Sequence, residues 1–329
     1  MKQQSKIKRL NKILHIAGKV AFAKAMKRDL PKSEILADVI ELGGVYVKFL
    51  QVLAVRNLNV LSLGPDSIES INKVYDQVAV ESIDVQRLIS NELGENVTVL
   101  ANVEKQPFAS GSFGQVYRAQ LVSGEVLAIK IVRPSVVKNI NFDLNLLGVV
   151  VRLFSISNKS AYDVKKIYNQ FAQVTRKELD YKAEAEYAQL LHAKYLNHQG
   201  LVIPKTYPAL CSKHIISQEF IAGISVTQLI TLKEQGIDPY EYVKQNLGSD
   251  LNRQLICLGQ EQLESMLIDG YSHGDPHPGN SVLMTNNRVA LLDFGIKSRS
   301  PADRRAFFGL VREYQKIYAG HFDFEGYTL

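Results

Sequence analysis

In residues 1–95, apolar positions recur every three or four residues, which is the spacing of one face of a helix. We predict helices over 32–57, 66–78 and 84–93, with Gly94 at the end of the last one. Ahead of these helices, a first apolar stripe is formed by Ile7, Leu10, Leu14, Ala17 and Ala21. The start of the chain is therefore expected to be mainly helical.

The spacing changes after Gly94, where runs rich in apolar and β-branched residues predict strands. Strands are expected at 97–103, 115–120 and 126–132, with Ser123-Gly124-Glu125 as a hairpin turn before the last one. Further helices are predicted at 136–156, 161–198, 238–268 and 301–318, and further strands at 214–220 and 288–292. This order indicates an α+β fold with a helical extension, a small sheet and a mostly helical half.

The length of 329 residues allows about two domains with a sizeable core. Apolar residues make up 46% of the chain and charged residues 22%, values that are typical of globular proteins and not of disordered or fibrous ones. The two cysteines, Cys211 and Cys257, do not predict a disulfide framework, so we expect a reducing, cytoplasmic setting.

The formal net charge of +6 is concentrated at the start of the chain. Residues 1–28 hold nine Lys and Arg and neither Asp nor Glu, so they carry +9 and residues 29–329 carry −3. This distribution argues against a nucleic-acid-binding surface on the body of the protein, and we expect no nucleic-acid partner.

Two interpretations of the basic start remain open. Four basic residues lie largely off the apolar stripe: Lys8, Arg9, Lys12 and Lys19. This is the pattern of a helix lying on an anionic membrane surface. A helix that packs on the body and turns a charged face to solvent has the same pattern. Lysines interrupt the segment, which argues against a secretory signal, and Ser and Arg are too scarce for a typical transit peptide. The sequence also lacks the ~18 consecutive apolar residues of a membrane-spanning helix, so membrane association is expected to be peripheral.

Two candidate chemical features belong to the predicted strands. The first is a small-residue loop that consists of Ala109, Ser110, Gly111, Ser112, Phe113 and Gly114. Small residues let backbone amides approach phosphate oxygens, and glycine tolerates positive φ, although a tight hairpin turn has the same composition. The second is Lys130 within the apolar run 126–132, where a lysine rarely lies without a partner unless it reaches solvent at a strand edge.

Three further features follow along the chain. One is an acidic group on the predicted helix 161–198, formed by Glu178, Asp180 and Glu184, of which the last two share a helix face. The next is the loop from His273 to Asn280, whose prolines and glycines predict a rigid structure that is neither helix nor strand. The last is Asp293-Phe294-Gly295, directly after a predicted strand. A simpler interpretation of the acidic group is a solvent-exposed helix face. A simpler interpretation of Asp293-Phe294-Gly295 is an ordinary turn.

Taken in order, these features are typical of a protein kinase: a small-residue loop, a strand lysine, a helix glutamate, a catalytic-loop Asp followed by Asn, and a DFG segment. The loop His273-Gly274-Asp275-Pro276-His277-Pro278-Gly279-Asn280 resembles the UbiB/ADCK family of atypical kinase-like proteins, which is associated with ubiquinone biosynthesis. Glu178-Leu179-Asp180 is similar to the ExD element of that family, and Lys48-Phe49-Leu50-Gln51 to its KxGQ helix. The resemblance covers roughly residues 35–318.

The chain departs from the family pattern in two places. Leu50 stands where the family has a glycine, and loop 109–114 is closer to the Gly-rich loop of ordinary kinases than to the family's alanine-rich loop. Because alanine at a positive-φ position is less stable than glycine by on the order of 1 kcal/mol, we expect a more flexible nucleotide loop than the family norm.

The resemblance implies a protein-kinase-like bilobal fold, with a small β-sheet N-lobe and a mostly helical C-lobe. We expect residues 1–95 to form a basic amphipathic and KxGQ-like helical extension. Residues 96–222 are expected to form the N-lobe, and residues 223–329 a short or truncated C-lobe.

The resemblance further implies ATP or ADP and Mg²⁺ as ligands. Lys130 would orient the α- and β-phosphates and pair with Glu184, and Asp275 would orient or deprotonate the attacking hydroxyl or water. Asn280 and Asp293 would hold Mg²⁺, because their oxygens suit a hard cation. The remaining nucleotide-binding residues would be the loop 109–114 with Lys48, Gln51, Glu178 and Asp180.

We therefore expect an ATP-binding atypical kinase or ATPase that acts at an anionic membrane surface through residues 1–28. By the resemblance it would support quinone or isoprenoid-lipid metabolism, with quinone-biosynthesis proteins or lipids as partners. Two alternatives remain: a nucleotide-binding pseudokinase scaffold, and a small-molecule phosphotransferase, which also uses a His-Gly-Asp loop with a downstream Asn.

Overall fold

The computed structural model describes residues 6–26, 28, 32–55, 80–111, 113–155, 161–265, 271–273, 278–295 and 297–299. The predicted helices at 66–78 and 301–318 lie outside these residues, as do Ser112 and Asp275. The chain divides into two compact units. The first comprises Met1–Lys194 and Pro204–Ile221, and the second comprises Tyr195–Ile203 and Ala222–Leu329.

Helices open the first unit, as the apolar spacing predicts. They are α1 (Lys6–Ala25), α2 (Lys32–Leu42) and α3 (Gly44–Val55). The single helical region predicted over 32–57 is therefore two helices. The break falls at Gly43 and Gly44, whose φ angles of 64° and 52° lie in the left-handed region that ends a right-handed helix.

A five-stranded antiparallel sheet follows the helix α4 (Val85–Leu93). Its strands are β1 (Leu100–Val103), β2 (Ala109–Ser110), β3 (Gly114–Leu121), β4 (Val126–Val132) and β6 (Ile215–Glu219), in the order β1-β3-β4-β6 with β2 on β3. The strand predicted from Val97 is wrong at its start, because a 3-10 helix occupies Gly94–Val99. The predicted hairpin joins β3 and β4, with Gly124 at φ 93° in its turn.

The two faces of this sheet differ in burial because side chains alternate along each strand. Leu127, Ile129 and Ile131 of β4 point to the face that packs against Val85 and Ile89 of α4. The opposite face is partly open, and in β4 it is formed by Val126, Ala128 and Lys130.

Three helices complete the first unit: α5 (Pro134–Ser155), α6 (Ala161–Lys177) and α7 (Tyr181–Tyr195). The continuous helix predicted over 161–198 is wrong, since α6 ends at Lys177 and α7 begins at Tyr181. The Asp180 carboxylate accepts a hydrogen bond from the Ala183 amide at 3.2 Å, which caps the start of α7. Glu178 and Asp180 therefore lie between two helices and not on one.

The second unit contains α8 (Val226–Glu234), α9 (Pro239–Leu247) and α10 (Leu251–Glu264). The single helix predicted over 238–268 is wrong, because Gly248 adopts a left-handed conformation with φ 59° and ends α9. Asp250 then accepts hydrogen bonds from the Asn252 and Arg253 amides and starts α10. Among the described residues, no helix combines the length and apolar character needed to cross a membrane.

In the sequence, short strands of the second unit precede and follow the predicted motif loop, of which residues 274–277 lie outside the described part of the chain. One sheet has the order β5-β10-β9-β7, formed by β5 (Leu201–Val202), β7 (Ile224–Ser225), β9 (Ser281–Leu283) and β10 (Val289–Leu291). A second, two-stranded sheet pairs β8 (Tyr271–His273) with β11 (Lys297–Arg299). The loop predicted from His273 to Asn280 is thus strand at His273 and a 3-10 turn over Pro278–Asn280.

Candidate functional site

The strand lysine lies beside the helix glutamate in the first unit. Lys130 of β4 places its Nζ 3.2 Å from Oε1 and 3.3 Å from Oε2 of Glu184, which lies in the first turn of α7. The Glu184 side chain is only 2% exposed and that of Lys130 is 23% exposed. A buried carboxylate needs a cationic or hydrogen-bonding partner, so this pair fixes the lysine head group at one point of the open sheet face.

The start of α7 also places an aromatic ring against the same lysine. Tyr181 is buried, and the Lys130 Nζ lies 4.7 Å from the centroid of its ring. Tyr181 and Glu184 are three residues apart on α7 and therefore lie on one side of the helix. The break at Asp180 thus matters for the site, because it sets where α7 begins and how it presents both side chains.

A second lysine and glutamate meet between α3 and the end of α6. The Nζ of Lys48 lies 2.6 Å from both carboxylate oxygens of Glu178, and both side chains are largely buried. The same Nζ lies 4.7 Å from the centroid of the Phe113 ring. The structure thus brings the helical extension, the ExD segment and the small-residue loop together, and Gln51 lies one turn further along α3.

The small-residue loop is a tight turn between β2 and β3. Ala109 pairs with Val116 and Ser110 with Gln115, and the Gly111 amide donates to the Gly114 carbonyl at 2.9 Å. The expectation that positive φ governs this loop is wrong, since neither Gly111 nor Gly114 has φ in the left-handed region.

Close approach is what requires glycine at position 114. A Cβ atom there would lie 2.6 Å from the Tyr181 hydroxyl oxygen and 3.0 Å from the Ile131 carbonyl oxygen. At Gly111 the nearest atom to such a Cβ would be the Gly114 carbonyl oxygen at 3.9 Å, which is an ordinary contact.

Arg133 is a residue of this region that the sequence motifs did not select. It directly follows β4, is 6% exposed, and its guanidinium donates to the Ser110 hydroxyl at 2.6 Å. Burial lowers the pKa of Arg133, an effect that the charge of Glu81 opposes. The available signal in the sequence was a charged residue between a buried strand and Pro134, which is the first residue of α5.

The candidate metal-binding residues belong to the second unit. Asn280 ends a 3-10 turn and Asp293 follows β10 by two residues. The Leu292 amide donates to the Asn280 carbonyl at 2.7 Å, so the backbones that carry Asn280 and Asp293 lie side by side. Asp293 adopts φ 61°, and its Oδ1 accepts from the Gly295 amide at 3.2 Å. A carboxylate and an amide oxygen on adjacent segments are ligands that fit Mg²⁺.

Comparisons with known proteins agree with these motifs. A family model described as the ABC1 atypical kinase-like domain matches residues 73–314. The uncharacterized protein slr0889 of Synechocystis is 28% identical over 299 residues, which cover 87% of this chain and 70% of that protein.

Two chloroplastic proteins of Arabidopsis thaliana are also similar. ACTIVITY OF BC1 COMPLEX KINASE 3 is 29% identical over 84% of this chain, and ACTIVITY OF BC1 COMPLEX KINASE 1 is 32% identical over 77% of it. The aligned regions cover 38% and 36% of these two relatives, so the chain spans less than half of their length.

Among solved structures, Rv3197 of Mycobacterium tuberculosis, determined as a complex with erythromycin, matches with a TM-score of 0.59. The match has 22% sequence identity and covers 91% of this chain and 72% of that one, so it bears on the fold alone. The predicted kinase-like α+β fold is confirmed. Since the family model matches more than half of its residues, and its motifs resemble those of UbiB/ADCK proteins, the chain belongs to the ABC1 atypical kinase-like family.

Proposed function

We propose that this chain is a Mg²⁺-dependent, ATP-using phosphotransferase or ATPase of the atypical kinase type. The observation that carries the proposal is the contact of Lys130 with both carboxylate oxygens of the buried Glu184. In kinases the corresponding pair positions a lysine on the nucleotide phosphates, and a catalyst of phosphoryl transfer works mainly by such positioning and charge stabilisation.

The open sheet face beside Lys130 has the chemistry of a nucleobase site. Val116 lies directly opposite Lys130 in the β3–β4 register, and Ala128 is on the same face two residues earlier, about 7 Å along the strand. Small apolar side chains next to a cationic anchor suit a ligand with a flat ring at one end and phosphates at the other. This combination supports ATP or ADP over a bare phosphate ester.

The metal and proton-transfer roles in the proposal belong to three residues of the second unit. Asn280 and Asp293 would hold Mg²⁺, which would neutralise phosphate charge during transfer. Asp275 would orient or deprotonate the attacking hydroxyl or water. Lys48 and Glu178, with the neighbouring Gln51 and Asp180, would border the nucleotide on the side of the small-residue loop.

Turnover of Mg·ATP by site variants tests this assignment. We expect Lys130→Ala and Asp293→Asn to lower ATPase or phosphotransfer activity on the order of a hundredfold or more. Asp293→Asn should keep a melting temperature near wild type, whereas Lys130→Ala should lower it, because the buried Glu184 loses a cationic partner; the activity of that variant is therefore measured below its own melting temperature. Lys138→Ala, which removes an exposed lysine of α5, is the matched control and should keep full activity. If both site variants retain full turnover, the site is wrongly assigned. Nucleotide binding without turnover in the wild type would favour the pseudokinase alternative.

We further propose that the protein acts at an anionic membrane surface, and the support for this is the apolar side that α1 leaves exposed, not its basic side. The charged side of α1 faces the body: Arg9 lies 2.5 Å from Asp143 of α5, and Lys12 and Lys19 each lie 3.0 Å from Asp38 of α2. Between these contacts the helix buries Ile13 and Ile16. These basic side chains therefore hold α1 on the body and contribute less to a membrane than the sequence pattern predicted.

The first three residues of the predicted apolar stripe of α1, Ile7, Leu10 and Leu14, point away from the body. Ile7 is 71% exposed, Leu14 and Phe22 are each 59% exposed, and Leu10 lies between the first two on the same side. An apolar stripe left open on a helix that is already docked by its other side needs a second partner. Exposed Lys6 and Lys8 flank it, and this combination fits the headgroup region of an anionic bilayer.

Vesicle binding by the full chain tests the membrane surface. We expect co-sedimentation with vesicles of phosphatidylcholine plus phosphatidylglycerol, and much less with phosphatidylcholine alone. The double variant Ile7→Gln with Leu14→Gln should lose most of this binding, whereas His15→Gln, an exposed polar position of the same helix, should not. Equal binding by the stripe variant would contradict the assignment, and dimers that the stripe variant abolishes would point to a second copy of the chain as the partner.

The proposed acceptor is a small or lipidic molecule, in support of quinone or isoprenoid-lipid metabolism. Its support is the UbiB/ADCK resemblance of the motifs together with the outward stripe of α1, which would hold the protein where such lipids lie. Stimulation of Mg·ATP turnover by the anionic vesicles, absent in the stripe variant, is the expected result. Turnover that is indifferent to vesicles would favour a water-soluble acceptor, as in a small-molecule phosphotransferase.

A further inference from the structure

A buried arginine contacts both limbs of the small-residue loop. The Arg133 guanidinium donates to the hydroxyl of Ser110, on the first limb, at 2.6 Å. Its backbone amide donates to the carbonyl of Phe113, on the second limb, at 2.8 Å. One residue therefore holds the loop on either side of its tip.

The same residue connects the loop to the strand of Lys130 and to the next helix. Arg133 directly follows β4, three residues after Lys130, and its carbonyl accepts from the amides of Val136 and Val137 in the first turn of α5. Hydrogen bonds to several elements thus hold Arg133 in one position. A residue held in this way can restrict the conformation of the loop that it contacts.

Glycine flexibility does not account for the loop conformation. Gly111 and Gly114 lack positive φ, and their own cross-loop hydrogen bond of 2.9 Å joins backbone groups that many residue types provide. Burying a guanidinium carries a desolvation cost, which is consistent with the lowered pKa of Arg133. A buried cation at this place is therefore expected to have a specific task.

We propose that Arg133, acting through Ser110 and Phe113, is a positioning residue that sets the small-residue loop for the phosphates of the nucleotide. The inference rests on the proposed nucleotide-using function of the same site. In this arrangement Arg133 fixes the loop relative to Lys130, so that the loop amides and the lysine reach one phosphate chain together. A lysine would present a compact ammonium on a flexible stem in place of the planar guanidinium whose Nη2 contacts the Ser110 hydroxyl.

The affinities of the variants for ATP and for adenosine are compared, because adenosine lacks the phosphates. A loss of affinity for ATP alone indicates an effect on phosphate binding, whereas a loss for both ligands indicates a general effect on the fold. We expect Ser110→Ala to weaken ATP binding about tenfold, the effect of losing a hydrogen bond from a charged group, while adenosine binds as in the wild type. Ser110→Thr, which keeps the hydroxyl, should restore ATP affinity. Ser123→Ala, which removes a hydroxyl from the β3–β4 turn, is the matched control and should change neither affinity.

A second variant tests whether the effect passes through the arginine. Arg133→Lys should weaken ATP binding to a similar extent, and the double variant with Ser110→Ala should be no weaker than either single one, since both remove the same contact. Additive losses, or equal losses for ATP and adenosine, would overturn the positioning role. If the folded wild type binds neither ATP nor adenosine, the proposed function is overturned together with this inference. If the single variants Ser110→Ala and Arg133→Lys both keep the ATP affinity of the wild type, only this inference is overturned.

Discussion

Gly111 and Gly114 lie three residues apart in one loop, but a methyl group would meet different surroundings at each. We expect Gly114→Ala to destabilise the fold by about 1–3 kcal/mol, because its Cβ would press on the Tyr181 hydroxyl and the Ile131 carbonyl. Gly111→Ala should stay within about 0.5 kcal/mol of wild type, because its Cβ would make only an ordinary contact with the Gly114 carbonyl oxygen at 3.9 Å. Urea unfolding of the two variants provides the comparison, and equal stabilities would show that close approach does not govern this loop.

Asp180 has a structural role that can be separated from its proposed role at the nucleotide. Asp180→Ala should lower stability by about 1 kcal/mol through loss of the α7 cap, and Asp180→Asn should largely retain it. If the charge also serves the nucleotide, Asp180→Asn should lower turnover at unchanged stability. If turnover is unchanged in Asp180→Asn, the only role left for Asp180 is to cap α7. If Asp180→Ala is as stable as the wild type, the cap does not contribute to the stability of the fold.

At the scale of single residues, the sequence identified the charged motif residues of the candidate site better than the neighbouring residues that hold them in place. The family resemblance implied that Lys130 pairs with Glu184, and the two side chains do meet. The apolar strand by itself indicated only that the lysine needs some partner. Arg133 was missed because its importance depends on contacts with Ser110 and Phe113, which lie 23 and 20 residues earlier in the chain, and neither contact leaves a periodic signal.

At the scale of elements, the docking of α1 on α2 is a packed electrostatic contact. Burial acts to raise the pKa of Asp38, but hydrogen bonds and charges from Lys19 and Lys12 outweigh it and hold the pKa below its ordinary value of 3.8. A carboxyl with a depressed folded-state pKa stabilises the fold above its unfolded pKa, and that contribution is lost as pH falls through the folded pKa.

We therefore expect the wild type to melt at a higher temperature than Asp38→Asn at neutral pH. The difference should shrink as pH falls below the ordinary pKa of 3.8 and vanish below the lower folded-state pKa. High salt should also reduce the difference, because the ion pairs are partly exposed. Paired melting curves across pH provide the measurement. A difference in melting temperature that persists in strong acid would show that the packing of the Asp38 side chain, and not its charge, stabilises the fold.

The sequence predicted strands more accurately than helix ends. The run 126–132 matches β4 because alternation of apolar residues on a half-open sheet leaves a clear period. The breaks near Gly43 and Gly248 were missed because apolar spacing continues across them, although a glycine followed by a capping Asp250 was a readable signal in the second case. The orientation of α1 could not be predicted, since it depends on ion pairs with Asp143 and Asp38 far along the chain.

At the scale of the whole molecule, charge and chemistry separate along the chain. The +9 of residues 1–28 belongs largely to α1, while the lysine–glutamate pairs lie in the sheet and helices that follow. The chain divides into two units, and each carries candidate residues of its own: Lys130 and Glu184 lie in the first unit, and Asn280 and Asp293 lie in the second. A function that needs both sets should therefore fail when either set is altered.

The central claim is that this chain uses a nucleotide with Mg²⁺, and calorimetric titration of the full chain with ATP tests it most directly. We predict saturable binding in Mg²⁺ that weakens when EDTA replaces the metal, and an Asp293→Asn variant that no longer responds to Mg²⁺. Asn tolerates the left-handed backbone at this position, so the variant should fold. Asp250→Asn, at an exposed helix cap where Asn serves equally well, is the control. A folded wild type that binds no ATP, or an Asp293→Asn variant with wild-type affinity and Mg²⁺ dependence, would contradict the account.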